Sequence, residues 1–344
     1  RRYRWRVRAC RAASDCSAWS AERYVDLGRG PTDFNGDGTD ELLVGADGHV
    51  TVFEHRAGAF VTAQERPSVF SDMTSGYGRS SYVGDINGDG FTDAVIGAPF
   101  DRGFGSVAIY HGSPSGLMSI LRLENPPSSP INNFFSEMLC IADFDADGYG
   151  DLGVAGTSGT FVYRGGVDGI DPALVVEVPG GLRSCADVNE DGFADSPMTL
   201  PGAVRYFVGD VNGDGFADFT AGGINNAAFA LGSAGGLESP IPMTGVAGGI
   251  YSFDYQALGL ADINSDGLSD VVMGDAQSDA GSPGALAFSL GSDAGIGARV
   301  GLSVACENAC NRRGFAVSYG FDLNDDGFGD AAVSANAEEG VFVF

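Results

Sequence analysis

A chain of 344 residues with 46 acidic and 19 basic side chains carries a formal charge of −27, which excludes a nucleic-acid partner, whose phosphates need a basic surface, and favours cations. Every basic residue is Arg; without Lys, all lysine-dependent chemistry is excluded, including the phosphate-binding loop that ends in Gly-Lys. No run approaches the roughly 18 apolar residues of a membrane span, and 54 glycines suit short strands joined by tight turns.

From the N-terminus, RYRWRVRACRAASDCSAWS alternates Tyr3, Trp5, Val7 and Ala9 with Arg2, Arg4, Arg6 and Arg8, the period of a half-buried strand. The arginine face is either a solvated strand face or a site for an anionic ligand. With Cys10, Cys16 and SAWS behind it, the segment resembles the last hairpin of a fibronectin type III domain. Residues 1–24 are then a remnant of such a domain; the alternative is that they supply outer strands to the last sheet of the chain. The chain begins at Arg1 without Met and ends at VFVF inside an expected strand, so a piece of a longer protein is expected.

From residue 25 to 344 one pattern recurs. D-x-[DN]-x-D-G-x-x-[DE] occurs seven times, as DFNGDGTDE from Asp33, DINGDGFTD from Asp85, DFDADGYGD from Asp143, DVNEDGFAD from Asp187, DVNGDGFAD from Asp210, DINSDGLSD from Asp262 and DLNDDGFGD from Asp322. The intervals are 52, 58, 44, 23, 52 and 60 residues, the spacing of a repeat architecture. An apolar segment precedes each copy (SSYVG, MLCIA, RYFVG, ALGLA) and another comes after it (AVIGAP, LGVAG, VVMGD, AAVSA). Two further β-like runs then complete the unit, such as GSVAIYHGS and LMSILRL in the second. About four strands per unit, apolar on both faces, predict an all-β chain, a β-propeller of four-stranded blades. The interval of 23 residues is too short for a full blade. It reads as a reduced two-stranded unit built from FADSPMTL and AVRYFVG, giving seven units, with a decorated turn in a six-bladed ring as the alternative.

The acidic pattern is the part that carries chemistry. Oxygens at positions one, three, five and nine converge when the chain curls around a Gly at position six, the arrangement that holds a hard cation such as calcium. The glycines are 38, 90, 148, 192, 215, 267 and 327, and φ > 0 is expected at each. The candidate ligands are Asp33, Asn35, Asp37 and Glu41 in the first loop and Asp85, Asn87, Asp89 and Asp93 in the second. They are Asp143, Asp145, Asp147 and Asp151 in the third, Asp187, Asn189, Asp191 and Asp195 in the fourth, and Asp210, Asn212, Asp214 and Asp218 in the fifth. Asp262, Asn264, Asp266 and Asp270 belong to the sixth, and Asp322, Asn324, Asp326 and Asp330 to the seventh. Up to seven calcium ions are expected, using 22 of the 46 acidic side chains. The plainer account is turn chemistry, because Asx side chains bond their own backbone; it leaves the acid at position nine without a reason. Position twelve, where helix-loop-helix calcium hands carry Glu and dockerin loops Asp, is apolar in all seven: Val44, Ile96, Val154, Met198, Ala221, Met273 and Val333. The ninth residue must therefore close the site, with the twelfth already inside a strand.

These residues resemble the FG-GAP (VCBS-like) repeats of the integrin α-subunit propeller and its bacterial relatives. The second unit carries the resemblance best: GYGRSSYVGDINGDGFTDAVIGAPFDRGFGSVAIYHGS contains a YG variant of the first signature, the acidic loop and a literal Gly97-Ala98-Pro99. The resemblance implies calcium at the loops, with the Phe91 carbonyl as a further ligand, and blades that act as interaction platforms. The first loop departs from it by placing Glu41 at position nine, and the fourth by the shortness of its unit.

Among the cysteines, Cys10 with Cys16 and Cys306 with Cys310 suit short-range disulfides of an exported protein. Cys140 and Cys185 read as buried free thiols, or as an inter-blade disulfide. The three histidines, His49, His55 and His111, have no neighbouring nucleophile motif, so no catalytic site is expected. The function expected is a calcium-binding, non-catalytic extracellular platform for adhesion or protein interaction, secreted or at the surface of a bacterium. The alternatives are a sugar-binding propeller and an accessory domain of a secreted enzyme.

Overall fold

The computed structural model describes residues 2–12, 15–18, 23–26, 32–46, 48–70, 74–126, 135–136, 138–156, 159–178, 185–195, 205–223, 226–242, 258–275, 285–297, 299–302, 313–324, 326–335 and 340–343. Among them the regular structure is β, apart from one 3-10 turn at Asp101–Gly103. Four sheets have four strands each. The second, in chain order, is Ser80–Gly84, Asp93–Ala98, Ser106–His111 and Met118–Glu124; the third is Met138–Ala142, Asp151–Ala155, Thr160–Tyr163 and Val175–Val178. The fourth is Arg205–Gly209, Asp218–Gly223, Asn226–Ala230 and Ile241–Pro242, and the fifth Leu258–Ala261, Asp270–Asp275, Ala285–Ser289 and Arg299–Leu302. The first sheet (Glu41–Ala46, His49–Arg56, Ala59–Pro67) and the sixth (Arg313–Phe321, Asp330–Ala335, Gly340–Val343) have three strands each among the described residues. Within these six sheets the strand order follows the sequence, so each is a meander: the blades of a β-propeller.

The sequence explains the meander directly. In the second to sixth sheets an acidic loop joins the first strand to the second, and the residue at position nine is the first residue of that second strand; in the first sheet Glu41 likewise opens the strand that follows its loop. Val44, Ile96, Val154, Ala221, Met273 and Val333 then lie inside strands, as expected of position twelve. Around the fourth loop a single antiparallel bridge, Ala186 to Asp195, spans the turn. The expected strand FADSPMTL lies largely outside the described residues, and Arg205–Gly209 opens the sheet of the fifth loop instead.

The chain divides into two compact units, residues 1–56 with 60–179, and 57–59 with 180–344. In the first unit the second sheet is buried on both faces, and its alternation sorts side chains between two cores. Ala94, Ile96, Ala98, Ala108 and Tyr110 pack with Phe34, Val50, Val52 and Tyr77 of the preceding segment. Val95, Val107 and Ile109 point the other way, onto Leu139, Leu152, Val154 and Phe161 of the third sheet. This is why Asp93–Ala98 reads as a continuous apolar run behind an acidic residue. In the second unit a smaller cluster joins Val188 of the fourth loop to Phe219, with Ala186, Ala217 and Leu237 against it.

Two expectations about the N-terminal and cysteine residues are corrected. The alternating strand ends at Trp5, where Arg2–Trp5 pairs with Arg23–Asp26; residues 6–9 are irregular and Val7 is 58% exposed, so the apolar parity does not bury it. Cys10–Ala12 pairs with Asp15–Cys16, and a disulfide joins the directly opposed Cys10 and Cys16. Cys140 and Cys185 are buried but not free thiols: both are disulfide-bonded. Cys306 and Cys310 lie outside the described residues.

Candidate metal centre

The second loop shows how each turn is built. Asp85 at position one accepts the N–H of Gly88 at Oδ1 (2.7 Å) and that of Gly90 at Oδ2 (2.9 Å). Asn87 Oδ1 accepts from Asp89 N–H, and Asp89 Oδ1 from Phe91 N–H. The curl needs left-handed backbone at position six, and all seven glycines there have φ between 86° and 95°. Position four is left-handed as well, with Gly36, Gly88 and Gly213 in three loops and Ala146, Glu190 and Ser265 in three others. Gly at position four in three copies was the available signal for that second strained site; the non-glycine copies hid it.

Position nine has backbone partners of its own. Asp93 Oδ2 accepts the N–H of Ile86 at position two (2.9 Å), and its Oδ1 accepts the N–H of Gly112, just past the third strand (2.9 Å). Position two is bonded in the same way to Glu41, Asp151, Asp195, Asp218, Asp270 and Asp330. The second bond recurs from Gly165 to Asp151, Gly232 to Asp218 and Gly291 to Asp270. The acid therefore ties the loop's entry to the end of the third strand, a structural reason for it that turn chemistry within the loop did not offer. The recurring glycine was visible in HGS, RGG and LGS. It must be glycine: a Cβ at Gly112 would lie 2.4 Å from the carbonyl oxygen of Thr92, and one at Gly165 2.1 Å from that of Gly150.

The loops stand side by side within each unit. Thr92 N–H, at position eight of the second loop, donates to the carbonyl of Asp33 in the first. Ser269 repeats this bond to Asp210, and Gly329 to Asp262. The third loop lies against the second, since a Cβ at Gly150 would come 3.0 Å from the Asp85 carbonyl.

Burial raises several carboxyl groups of these loops. Desolvation is the largest cause for Glu41, pushed up to about 8, and for Asp218, to about 6; it also raises Asp143, Asp151, Asp270 and Asp330. His111 is raised by its contact with Asp93, 3.3 Å from Nδ1 to Oδ2.

All 28 candidate side chains lie in the seven loops, but among the described residues three acidic groups gather within 4.8 Å at two of them only: Asp33, Asp37 and Glu41, and Asp143, Asp145 and Asp151. Asp147 is not in the second of these groups. The donors are all oxygens, suited to a hard divalent cation, and each carboxylate oxygen that accepts one N–H keeps a second lone pair. In the third loop Asp145 Oδ1 is buried with no hydrogen-bond partner, an oxygen that a cation between Asp143 and Asp151 would satisfy. The residues present fit a divalent ion.

Residues 33–96 match the family model of the FG-GAP-like repeat. A stretch of 97 residues is 42% identical to integrin alpha-3 of Mus musculus, covering 25% of this chain and 9% of that protein. Another of 166 residues is 34% identical to integrin alpha-5 of Xenopus laevis, covering 41% of this chain and 16% of that protein. The chain thus matches only a small part of the length of these curated relatives. Among solved structures, a chain of the crystal structure of BBS1N in complex with ARL6DN, soaked with lead, matches with a TM-score of 0.53 at 9% identity, covering 92% of each chain, a likeness of fold alone.

Proposed function

We propose, from the premise that this is an integrin-like FG-GAP repeat protein, that it is a calcium-binding, non-catalytic β-propeller serving as an extracellular platform for adhesion or protein interaction. The observation that carries the calcium is the gathering of Asp33, Asp37 and Glu41 within 4.8 Å of one another in the first loop, repeated by Asp143, Asp145 and Asp151 in the third. The proposed ligands are the side chains at positions one, three, five and nine of each loop, with the carbonyl at position seven. Their common fate is to hold the turn between the first two strands, so the ion stabilises the blade and the blade edges meet the partner. Disulfides at Cys10–Cys16 and at Cys140 and Cys185 support an oxidising, extracellular location. Residues 1–24 are proposed as a separate leading segment and 25–344 as the repeat region.

An ion that binds the folded form only stabilises it by mass action, about 2.7 kcal/mol per site at a hundred times the dissociation constant. Calorimetric titration of the chelated protein with calcium, with thermal melting in the presence and absence of chelator, tests the reading. Uptake of several ions and a lower melting temperature in chelator are expected. An unchanged melting temperature together with no calcium uptake at millimolar concentration would refute it.

A further inference from the structure

The third loop differs from its neighbours at two positions that touch each other. Position three is Asn in six loops and Asp only here, as Asp145. Where a glycine caps position nine among the described residues, the residue before it is His111, Leu231 or Leu290 beside the second, fifth and sixth loops and Arg164 beside the third. Arg164 Nη1 lies 2.5 Å from Asp145 Oδ2 and 3.3 Å from Asp151 Oδ2. Its backbone is fixed on both sides: its N–H donates to the Leu174 carbonyl and its carbonyl accepts from Asp171 N–H. The guanidinium is therefore delivered to the loop by the end of the third strand.

The two substitutions cancel in charge. Four carboxylates and one guanidinium leave the third loop with three negative charges, the number that Asp85, Asp89 and Asp93 give the second. An Arg also spreads its charge over a planar fork that binds two carboxylates at once, so it spans part of the space in which a divalent ion would gather the same oxygens. We infer that Arg164 is a resident counter-cation of the third loop, which holds the turn together without a metal and lowers the loop's affinity for calcium. The inference rests on the calcium reading above and adds a ranking to it: this loop depends less on the ion than the second, fifth and sixth.

The test uses the full chain and terbium as the probe, because Tyr149 at position seven is the only tyrosine in any of the seven loops and an excited tyrosine sensitises terbium emission at short range. Tyr149→Phe serves as the control that assigns the signal to the third loop. Arg164→Leu, the residue found at the fifth and sixth loops, is expected to tighten terbium binding at this loop by about tenfold or more, since ligand charge count sets affinity in such sites. The same variant in chelator is expected to melt at a lower temperature than wild type, with four carboxylates left unopposed. Arg164→Leu with Asp145→Asn restores three charges; it keeps the test open if the single variant does not fold, and is expected to bind terbium more tightly than wild type by a smaller factor. Terbium affinity unchanged or weakened in both variants would overturn the inference while calorimetry still counts calcium at other loops. No calcium uptake by wild type at any loop would remove the calcium reading itself, and this inference with it.

Discussion

The backbone N–H of Thr92 donates to the carbonyl oxygen of Asp33 across 3.1 Å, so the eighth residue of one acidic loop is fastened to the first residue of the loop before it. Asp33 is fully buried, and a buried carbonyl that loses its donor costs about 1–3 kcal/mol. Thr92→Pro deletes the N–H and is expected to lower the urea midpoint by at least that equivalent. Thr92→Ala keeps the N–H and is expected to cost clearly less. Equal loss in the two variants would mean that the side chain, not the link between loops, carries the effect.

Asp93 and Asp89 separate the structural role of an acidic loop from the ligand role proposed for it. Asp93 is buried and its two oxygens accept Ile86 N–H and Gly112 N–H. Asp93→Asn replaces one acceptor with a donor facing a donor, so the chelated protein is expected to lose about 1–3 kcal/mol with no ion involved. Asp89 is exposed; its Oδ1 accepts Phe91 N–H, a bond that an amide oxygen can keep, and its Oδ2 accepts from Asn87 Nδ2 at the surface, where water can replace it. Asp89→Asn is therefore expected to leave chelated stability nearly unchanged and to weaken calcium binding at the second loop. Urea melts in chelator, paired with calcium titrations, give the comparison; an Asp93→Asn protein as stable as wild type in chelator would contradict the structural role.

Much of this was legible in the sequence because backbone demands and side-chain choice coincide there. Gly90 announces its left-handed turn, and the run behind Asp93 announces a strand covered on both faces. The rest was hidden where one residue type serves two ends. An Asp at position nine reads as a ligand, and its bonds to position two and to the glycine beyond the third strand depend on a partner 19 residues away in the second sheet. Ala146, Glu190 and Ser265 sit at φ > 0 although their side chains do not favour it, so type did not betray conformation. Val7 failed for the opposite reason: alternation persists in sequence after the strand pairing has stopped at Trp5. Arg164 was missed because the salt bridge to Asp145 joins positions with no fixed spacing from loop to loop.

Tyr77 and Tyr110 offer a cleaner energetic test inside the first unit. Both are 1% exposed, and their hydroxyls are hydrogen-bonded to each other at 2.7 Å within the core that joins the first and second sheets. Either single change to Phe leaves a buried hydroxyl facing an apolar ring, for a cost of about 1–3 kcal/mol, whereas changing both removes donor and acceptor together. The double variant is expected to be no less stable than the worse single one, giving a coupling energy of about 1 kcal/mol or more in a double-mutant cycle. Strictly additive losses would show that each hydroxyl has another partner.

The dependence on pH comes from the carboxyl groups that burial raises. Glu41 moves from 4.5 up to about 8 and Asp218 from 3.8 to about 6, desolvation being the largest cause for each. A carboxyl whose pKa is higher in the folded state binds its proton more tightly there, so its contribution is fully present below the unfolded value and is lost as pH rises through the folded one. In chelator the protein is therefore expected to become steadily less stable from about pH 4 to pH 8, the opposite of a protein whose carboxylates are salt-bridged. Asp143, Asp151, Asp270 and Asp330 are raised by the same cause and push in the same direction. Calcium favours the ionised form and is expected to flatten the decline. Glu41→Gln, neutral at every pH, is expected to remove the part of the slope between about pH 6 and 8 in chelator. Melting curves at half-unit steps of pH, with chelator and with calcium, decide it: stability that rises with pH in chelator would mean that Glu41 and Asp218 already have a positive partner.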